Sequence, residues 1–97
     1  MKMNGTSFQK LVWRELLSIP LGETRTYKQI ADAIGKPSSS RAVANACAAN
    51  PYAPFVPCHR VIRSDGRVGG YSGQGGTEGK LRMLEEEGFK HSEINDE

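Results

Sequence analysis

A chain of 97 residues, 37% hydrophobic and 25% charged, has material for one modest core. It is too short for a multilayered enzyme with its own cofactor domain, and no apolar run approaches the ~20 residues of a helical membrane span. The formal charge of +2 conceals a division: residues 1–82 hold 12 Lys and Arg against 5 Asp and Glu, residues 83–97 hold 1 against 6. A basic body with an acidic end suits a polyanionic partner bound away from the C-terminus. The opening Met1-Lys2-Met3-Asn4-Gly5 lacks an apolar stretch of signal-peptide length, so a soluble intracellular protein is expected.

The first helix is predicted to start at Thr6, where Thr6 and Gln9 form a capping box that satisfies two free backbone N–H groups. Phe8, Leu11, Val12, Leu16 and Ile19 then share one face, Trp13 reads as a core position, and Pro20 stops the helix. A second helix starts at Thr26, with Gln29 completing another capping box. Tyr27, Ile30, Ala31 and Ile34 give its apolar stripe; Gly35 and Pro37 end it. A third follows from Ser38–Ser40 to about Asn50, and the pair resembles a helix-turn-helix. This third helix is slim: Ala42, Ala44, Ala46, Cys47, Ala48 and Ala49 leave Arg41 as its only charge. Such a helix can press closely against the core or against another surface.

Beyond Pro51, Ala53-Pro54-Phe55-Val56-Pro57 is predicted to be irregular, because its prolines forbid a helix and disfavour a central strand. Val61-Ile62-Arg63, a Ser64-Asp65-Gly66 turn and Arg67-Val68 read as a small β-hairpin. Residues 66–79 hold seven of the eleven glycines, with Tyr71 their only aromatic, and form a close-approach loop. A last helix is predicted over Thr77 to Glu87, with Gly88 just past its end.

Two cysteines, Cys47 and Cys58, are too few for a disulfide scaffold. With His59 and His91 they fit no common zinc spacing, so no metal site is expected. Cys47 reads as a small packed residue and His91 as part of a solvated tail. Cys58 sits between Pro57 and His59. A thiolate is the strongest ordinary side-chain nucleophile, and histidine is a suitable base to generate it. Adjacent side chains diverge, so a bridging water is needed between the two. Glu85, Glu86 and Glu87 are candidates to orient the imidazole. On those two residues alone, a buried small thiol beside a core or surface histidine is the favoured reading.

The longer stretch Pro57-Cys58-His59-Arg60-Val61 resembles the active-site signature of the O6-alkylguanine-DNA alkyltransferases. The similarity spans about residues 5–88 and includes Gly5-Thr6-x-Phe8-Gln9, Thr26-Tyr27, Ser40-Arg41-Ala42-Val43, Asn50-Pro51, Gly70-Tyr71-Ser72-Gly73 and Glu87-Gly88, in the family's order. The resemblance implies a single α+β, mostly α domain over residues 1–88, with a winged-helix-like helix-turn-helix and a short β-hairpin. Residues 89–97 form an acidic tail without a family role. It implies irreversible transfer of the alkyl group from O6-alkylguanine in DNA to Cys58, once per molecule, without metal or organic cofactor.

In that family frame His59 would be the base acting through water, Glu87 would orient it, and Asn50 would brace the active-site turn. Tyr27 would crowd the phosphate 3′ to the lesion, help rotate the nucleotide out and protonate guanine N3. Arg41 would fill the gap left in the duplex, with Ser40 and Ala42 beside it against the DNA. Tyr71 would wall the base pocket, the Ser72 N–H would address O6 and the Val61 carbonyl would read the guanine amino group. The implied partner is double-stranded DNA, bound through the minor groove by a monomer with the alkylguanine flipped out. The implied location is the cytoplasm, or the nucleus in a eukaryote.

Two departures stand out. The family's N-terminal domain has no counterpart in these 97 residues, so the transfer domain is expected to stand alone. Gln74-Gly75-Gly76 lengthens the glycine loop relative to some relatives. Two rival readings remain. An alkyltransferase-like lesion sensor would share these motifs but carry a non-nucleophilic residue, commonly Trp, where Cys58 stands. A transcription regulator would need long polar side chains on the third helix to read base edges, and that helix has almost none. Arg60 is open between a site role and a structural hydrogen bond. Arg25, Lys28, Lys36, Arg63 and Arg67 are candidates for phosphate contacts or plain surface charges.

Overall fold

A computed structural model describes residues 3–65, 67–69 and 76–88. The chain runs α1 (Ser7–Leu16), β1 (Arg25–Thr26), α2 (Tyr27–Ala33), α3 (Ser40–Ala48), one 3-10 turn (Cys58–Arg60), β2 (Val61–Ile62) and α4 (Gly76–Glu86). The architecture is α+β and mostly helical. Tyr71, Ser72, His91 and the acidic tail 89–97 lie outside the described residues.

Both capping boxes form. Gln9 N–H donates to Thr6 Oγ1 at 3.0 Å and Thr6 N–H to Gln9 Oε1 at 2.9 Å. Gln29 N–H donates to Thr26 Oγ1 at 3.0 Å and Thr26 N–H to Gln29 Oε1 at 2.8 Å. These local bonds set the start of α1 and α2 by satisfying donors that have no partner within the helix. α1 stops at Leu16, before Pro20, so Ile19 enters the core from the turn that follows and not from the helix face. Leu11, expected on the buried face, is 40% exposed, whereas Trp13 is 1% exposed. The stripe is rotated toward Trp13 because its indole N–H donates to the Ala46 carbonyl at 2.9 Å, locking α1 onto α3. The Trp13 ring also meets Tyr52 edge-on, with centroids 5.6 Å apart.

α2 buries Ile30 and Ala31, and α3 buries Val43, Ala46 and Cys47 in the same cluster as Val12, Trp13 and Leu16. Small residues on α3 are what let α1 and α2 approach it. The outward side of α3 carries Arg41, Ala42, Asn45, Ala48 and Ala49 at the surface. Val56, Cys58 and Val61 complete the cluster, so the Cys58 segment is anchored in the main core.

The hairpin expected at Val61–Val68 is only partly formed. β2 takes its strand partner from β1, in parallel, with Arg25 opposite Val61 and Thr26 opposite Ile62. Among the described residues, the returning segment adds a backbone bond from Arg63 N–H to the Arg67 carbonyl at 2.9 Å. Ile62, Val68 and Leu84 make a second small cluster that fixes α4 beside β2.

Candidate active site

The Asn50–Pro57 segment leads into the site, and Asn50 organises it. Its Nδ2 donates to the Val56 carbonyl at 2.8 Å and its Oδ1 accepts the Tyr52 N–H at 2.8 Å. Asn50 is 6% exposed, and a buried amide satisfied by backbone on both sides is a rigid brace. The Tyr52 hydroxyl in turn accepts the Asn4 N–H at 2.7 Å, tying the segment to the start of α1. After Pro57 the chain enters the 3-10 turn, which begins with Cys58, 3% exposed, and His59, 1% exposed.

The Cys58 thiol is a free thiol under opposing influences. Burial pushes its pKa up; a hydrogen bond from the Asn50 side chain and the nearby Lys80 charge pull it back, and burial wins. His59 faces α4: its Nε2 lies 2.9 Å from Glu87 Oε2. Glu87 was one of three glutamates open at the sequence level, and it is the one that meets His59. Burial pushes the Glu87 carboxyl up, but hydrogen bonds from Arg60 and His59 outweigh it and hold the group below the usual carboxylate range.

Arg60 resolves into a structural role of a particular kind. Its Nε and Nη2 donate to Glu87 Oε1 and Oε2 at 2.9 and 3.0 Å, and its Nη1 donates to the Ile19 carbonyl at 3.0 Å. A bidentate guanidinium fixes the carboxylate plane. The resulting line His59–Glu87–Arg60 joins the 3-10 turn to the end of α4.

Tyr27, the first residue of α2, and Lys80 of α4 form the opposite side. Lys80 Nζ lies 3.4 Å from the Tyr27 hydroxyl and 5.7 Å from the ring centroid. Lys80 has no solvent exposure. Burial brings its pKa down to about 8. Burial, then proximity to Cys47 and Cys58, pushes the Tyr27 phenol up to about 12, with Arg63 pulling the other way. Cys47 is also pushed up to about 12, chiefly by burial, which keeps it a protonated packed thiol. Gly69 allows this approach: its φ is +83°, and a Cβ there would sit 3.3 Å from the Tyr27 hydroxyl and 3.6 Å from Lys80 Nζ.

Lys80 was not among the residues singled out from sequence. The signal was there in the helix period, since Lys80, Leu84 and Glu87 fall at i, i+4 and i+7 on one face. Leu84 is buried and Glu87 is in the site.

Tyr27 also opens onto a cleft of about 540 Å³ between the start of α3 and the segment after β2, lined by Ser40, Arg41, Ala44, Arg63 and Gly69 among others. Arg41 and Ala42 are exposed and Ser40 half-buried. Val61 is fully buried. The structure thus brings Cys58, Asn50, His59 and Glu87 into one cluster, and places Tyr27 between that cluster and the cleft that Arg41 borders.

Comparison with known proteins gives this geometry a context. Residues 7–89 match the family model described as 6-O-methylguanine DNA methyltransferase, DNA binding domain. The chain is 54% identical over 85 residues, 88% of its length, to a probable methylated-DNA–protein-cysteine methyltransferase of Acanthamoeba polyphaga mimivirus, of which it spans 55%. Among solved structures it resembles Mycobacterium tuberculosis OGT in complex with DNA, at 51% identity and a TM-score of 0.84, covering 89% of this chain and 52% of that one. It also resembles S. pombe Atl1 in complex with damaged DNA containing O6-carboxymethylguanine, at 34% identity and a TM-score of 0.78, covering 91% of this chain and 82% of that one. The chain therefore spans about half the length of the mimiviral and mycobacterial proteins. With the family model covering 83 of its 97 residues, from 7 to 89, the chain belongs to the 6-O-methylguanine DNA methyltransferase family.

Proposed function

We propose that this domain repairs O6-alkylguanine in duplex DNA by moving the alkyl group irreversibly onto Cys58. The observation that most supports this reading is a buried thiol braced by Asn50 next to a histidine whose Nε2 is 2.9 Å from a clamped carboxylate. The Cys58 proton passes through a water to His59, and Glu87 stabilises the imidazolium. The thiolate attacks the alkyl carbon, an S–C bond forms, and the C–O6 bond breaks with its electron pair going to guanine. Tyr27 donates its phenolic proton to guanine N3, and the proton on His59 returns to the phenolate through solvent. The net result is alkylated Cys58 and neutral guanine, so each molecule acts once.

Lys80 has a role in both half-steps. A phenol pushed up to about 12 is a weak acid. An ammonium 3.4 Å from its oxygen stabilises the phenolate as it forms. The same charge lowers the cost of the Cys58 thiolate. The target carbon lies within the base stack, so the nucleotide is extruded into the cleft beside Tyr27, with Arg41 occupying the space it leaves. The alanine surface of α3 suits close approach to the minor groove. Tyr71 and Ser72 complete the base pocket in this reading, and the protein acts as a monomer.

The test is the rate of alkyl transfer from O6-benzylguanine as a function of pH. Cys58→Ser is expected to abolish transfer while retaining DNA binding. His59→Ala should lose most of the rate near neutral pH and recover part of it in alkali, where the thiol ionises unaided. Transfer by Cys58→Ser would overturn the assignment. Duplex binding without any transfer by the wild type would favour a lesion-binding role instead.

A further inference from the structure

The cleft has a guanidinium on each side, and the proposed reaction accounts for only one. Arg41 comes from α3; Arg63 follows β2 directly and borders the same cleft. The Arg63 stem lies against Gly69, where a Cβ would meet its Cγ at 3.4 Å, so the side chain starts next to Tyr27. Its guanidinium is not committed to the core. Nη2 pairs with Asp65 Oδ2 at 3.0 Å, and the two side chains are 53% and 46% exposed.

Asp65 is held independently of that pair. Its Oδ1 accepts the Arg67 backbone N–H at 3.0 Å, and its Oδ2 lies 4.0 Å from Arg67 Nε. The Arg67 backbone bond, ahead of the two guanidiniums, keeps this carboxyl below the usual range, so it is an anion at neutral pH. An uncompensated anion next in sequence to Ser64, which lines the cleft, would repel a phosphate there. Here it has two cationic neighbours, and it needs only one.

We infer that Arg63 is a DNA-phosphate clamp kept in place by Asp65 until DNA arrives. On binding, Arg63 leaves Asp65 for a backbone phosphate at the mouth of the cleft, and Arg67 remains as the counter-ion of Asp65. The exchange costs little because an exposed ion pair is screened by solvent and held only weakly. It gains a charge-assisted, bidentate contact that releases counterions from the DNA. Asp65 thus pre-orients the clamp and competes weakly with the phosphate. The inference rests on the reading of the cleft as the seat of a nucleotide from duplex DNA.

The experiment titrates a fluorescent undamaged duplex with wild type, Arg63→Gln, Asp65→Asn and the double variant across a salt series. Arg63→Gln should weaken binding and reduce the slope of log Kd against log salt by about one phosphate contact, near 0.9. Asp65→Asn should tighten binding roughly two- to fivefold, the range of an exposed ion pair. That gain should vanish in the Arg63→Gln background. An unchanged slope for Arg63→Gln overturns the clamp. Equal tightening by Asp65→Asn with and without Arg63 overturns the exchange, since Asp65 would then act only by general repulsion. Transfer from O6-benzylguanine by the wild type is measured alongside. If it fails while the duplex still binds, the transfer reading falls and the clamp is judged on its own slope. If the duplex does not bind, both fall.

Discussion

Lys80 places a charge where solvent does not reach, and the fold bears the cost. Its pKa falls from 10.5 to about 8. Below about 8 both folded and unfolded chains hold the proton, and the folded state carries the full penalty. Between about 8 and 10.5 the unfolded chain binds more protons, so this group's contribution to stability rises with pH. At 1.36 kcal/mol per pKa unit the penalty at neutral pH is on the order of 3 kcal/mol. Lys80→Met keeps the length and drops the charge. It is expected to raise the unfolding free energy at pH 7 by that order, with the gain fading toward pH 10.5, and to slow alkyl transfer. Urea melts at pH 7 and pH 10 beside transfer rates check both halves; a stability loss at pH 7 contradicts the picture of a charge retained for chemistry.

Glu87 behaves in the opposite sense. Its folded pKa is depressed, so its ion pairs contribute stability above the ordinary carboxylate pKa of about 4.5 and lose it as pH falls through the lower folded value. Glu87→Gln should flatten the acid limb of the stability curve and slow transfer less than His59→Ala, because the amide keeps a hydrogen bond. A normal transfer rate for Glu87→Gln beside a slow Glu86→Gln would contradict the relay. Cys58 and His59 were legible because one contiguous signature carries them, and Asn50 through the separate Asn50-Pro51 motif. Lys80 was not, because a lone lysine in an amphipathic helix ordinarily points to water.

At the scale of elements, α3 is built against its own dipole. Arg41 is its second residue, no acidic residue sits in its first turn, and Ser39 makes no side-chain cap. A cation at a helix N-terminus costs about 0.3–1 kcal/mol. Arg41→Ala should therefore leave stability unchanged or raise it by a few tenths, while slowing repair in duplex DNA more than reaction with free O6-benzylguanine. Equal slowing of both substrates would make Arg41 structural. Thr26→Ala removes the α2 cap and should cost about 1 kcal/mol by thermal melt. Capping boxes and apolar stripes are local, so α1, α2 and α3 were readable to within a few residues. The β1–β2 pairing was not: two-residue strands from distant parts of the chain leave no periodic pattern. The hairpin pattern after Val61 pointed to a local partner, whereas β2 pairs with β1; among the described residues the local partner adds the bond from Arg63 N–H to the Arg67 carbonyl.

At the scale of the molecule, residues 1–82 carry a net charge of +7 and residues 83–97 carry −5. DNA affinity is expected to fall steeply with salt, because neutralised phosphates release counterions. It should discriminate little among undamaged sequences, since the exposed side of α3 is largely alanine. Titrations of several unrelated duplexes check this; a preference beyond ~100-fold for one sequence would favour sequence-specific regulation. Cys58 belongs to the same buried cluster as Trp13 and Leu16, so the core itself holds the thiol that the proposed transfer uses. The most direct test of the central claim is the intact mass of the protein after incubation with a duplex containing one O6-methylguanine. A gain of one methylene is expected, in proportion to the lesion supplied and mapped to Cys58. An unchanged mass with the duplex bound, or a gain mapped to Cys47, would contradict it.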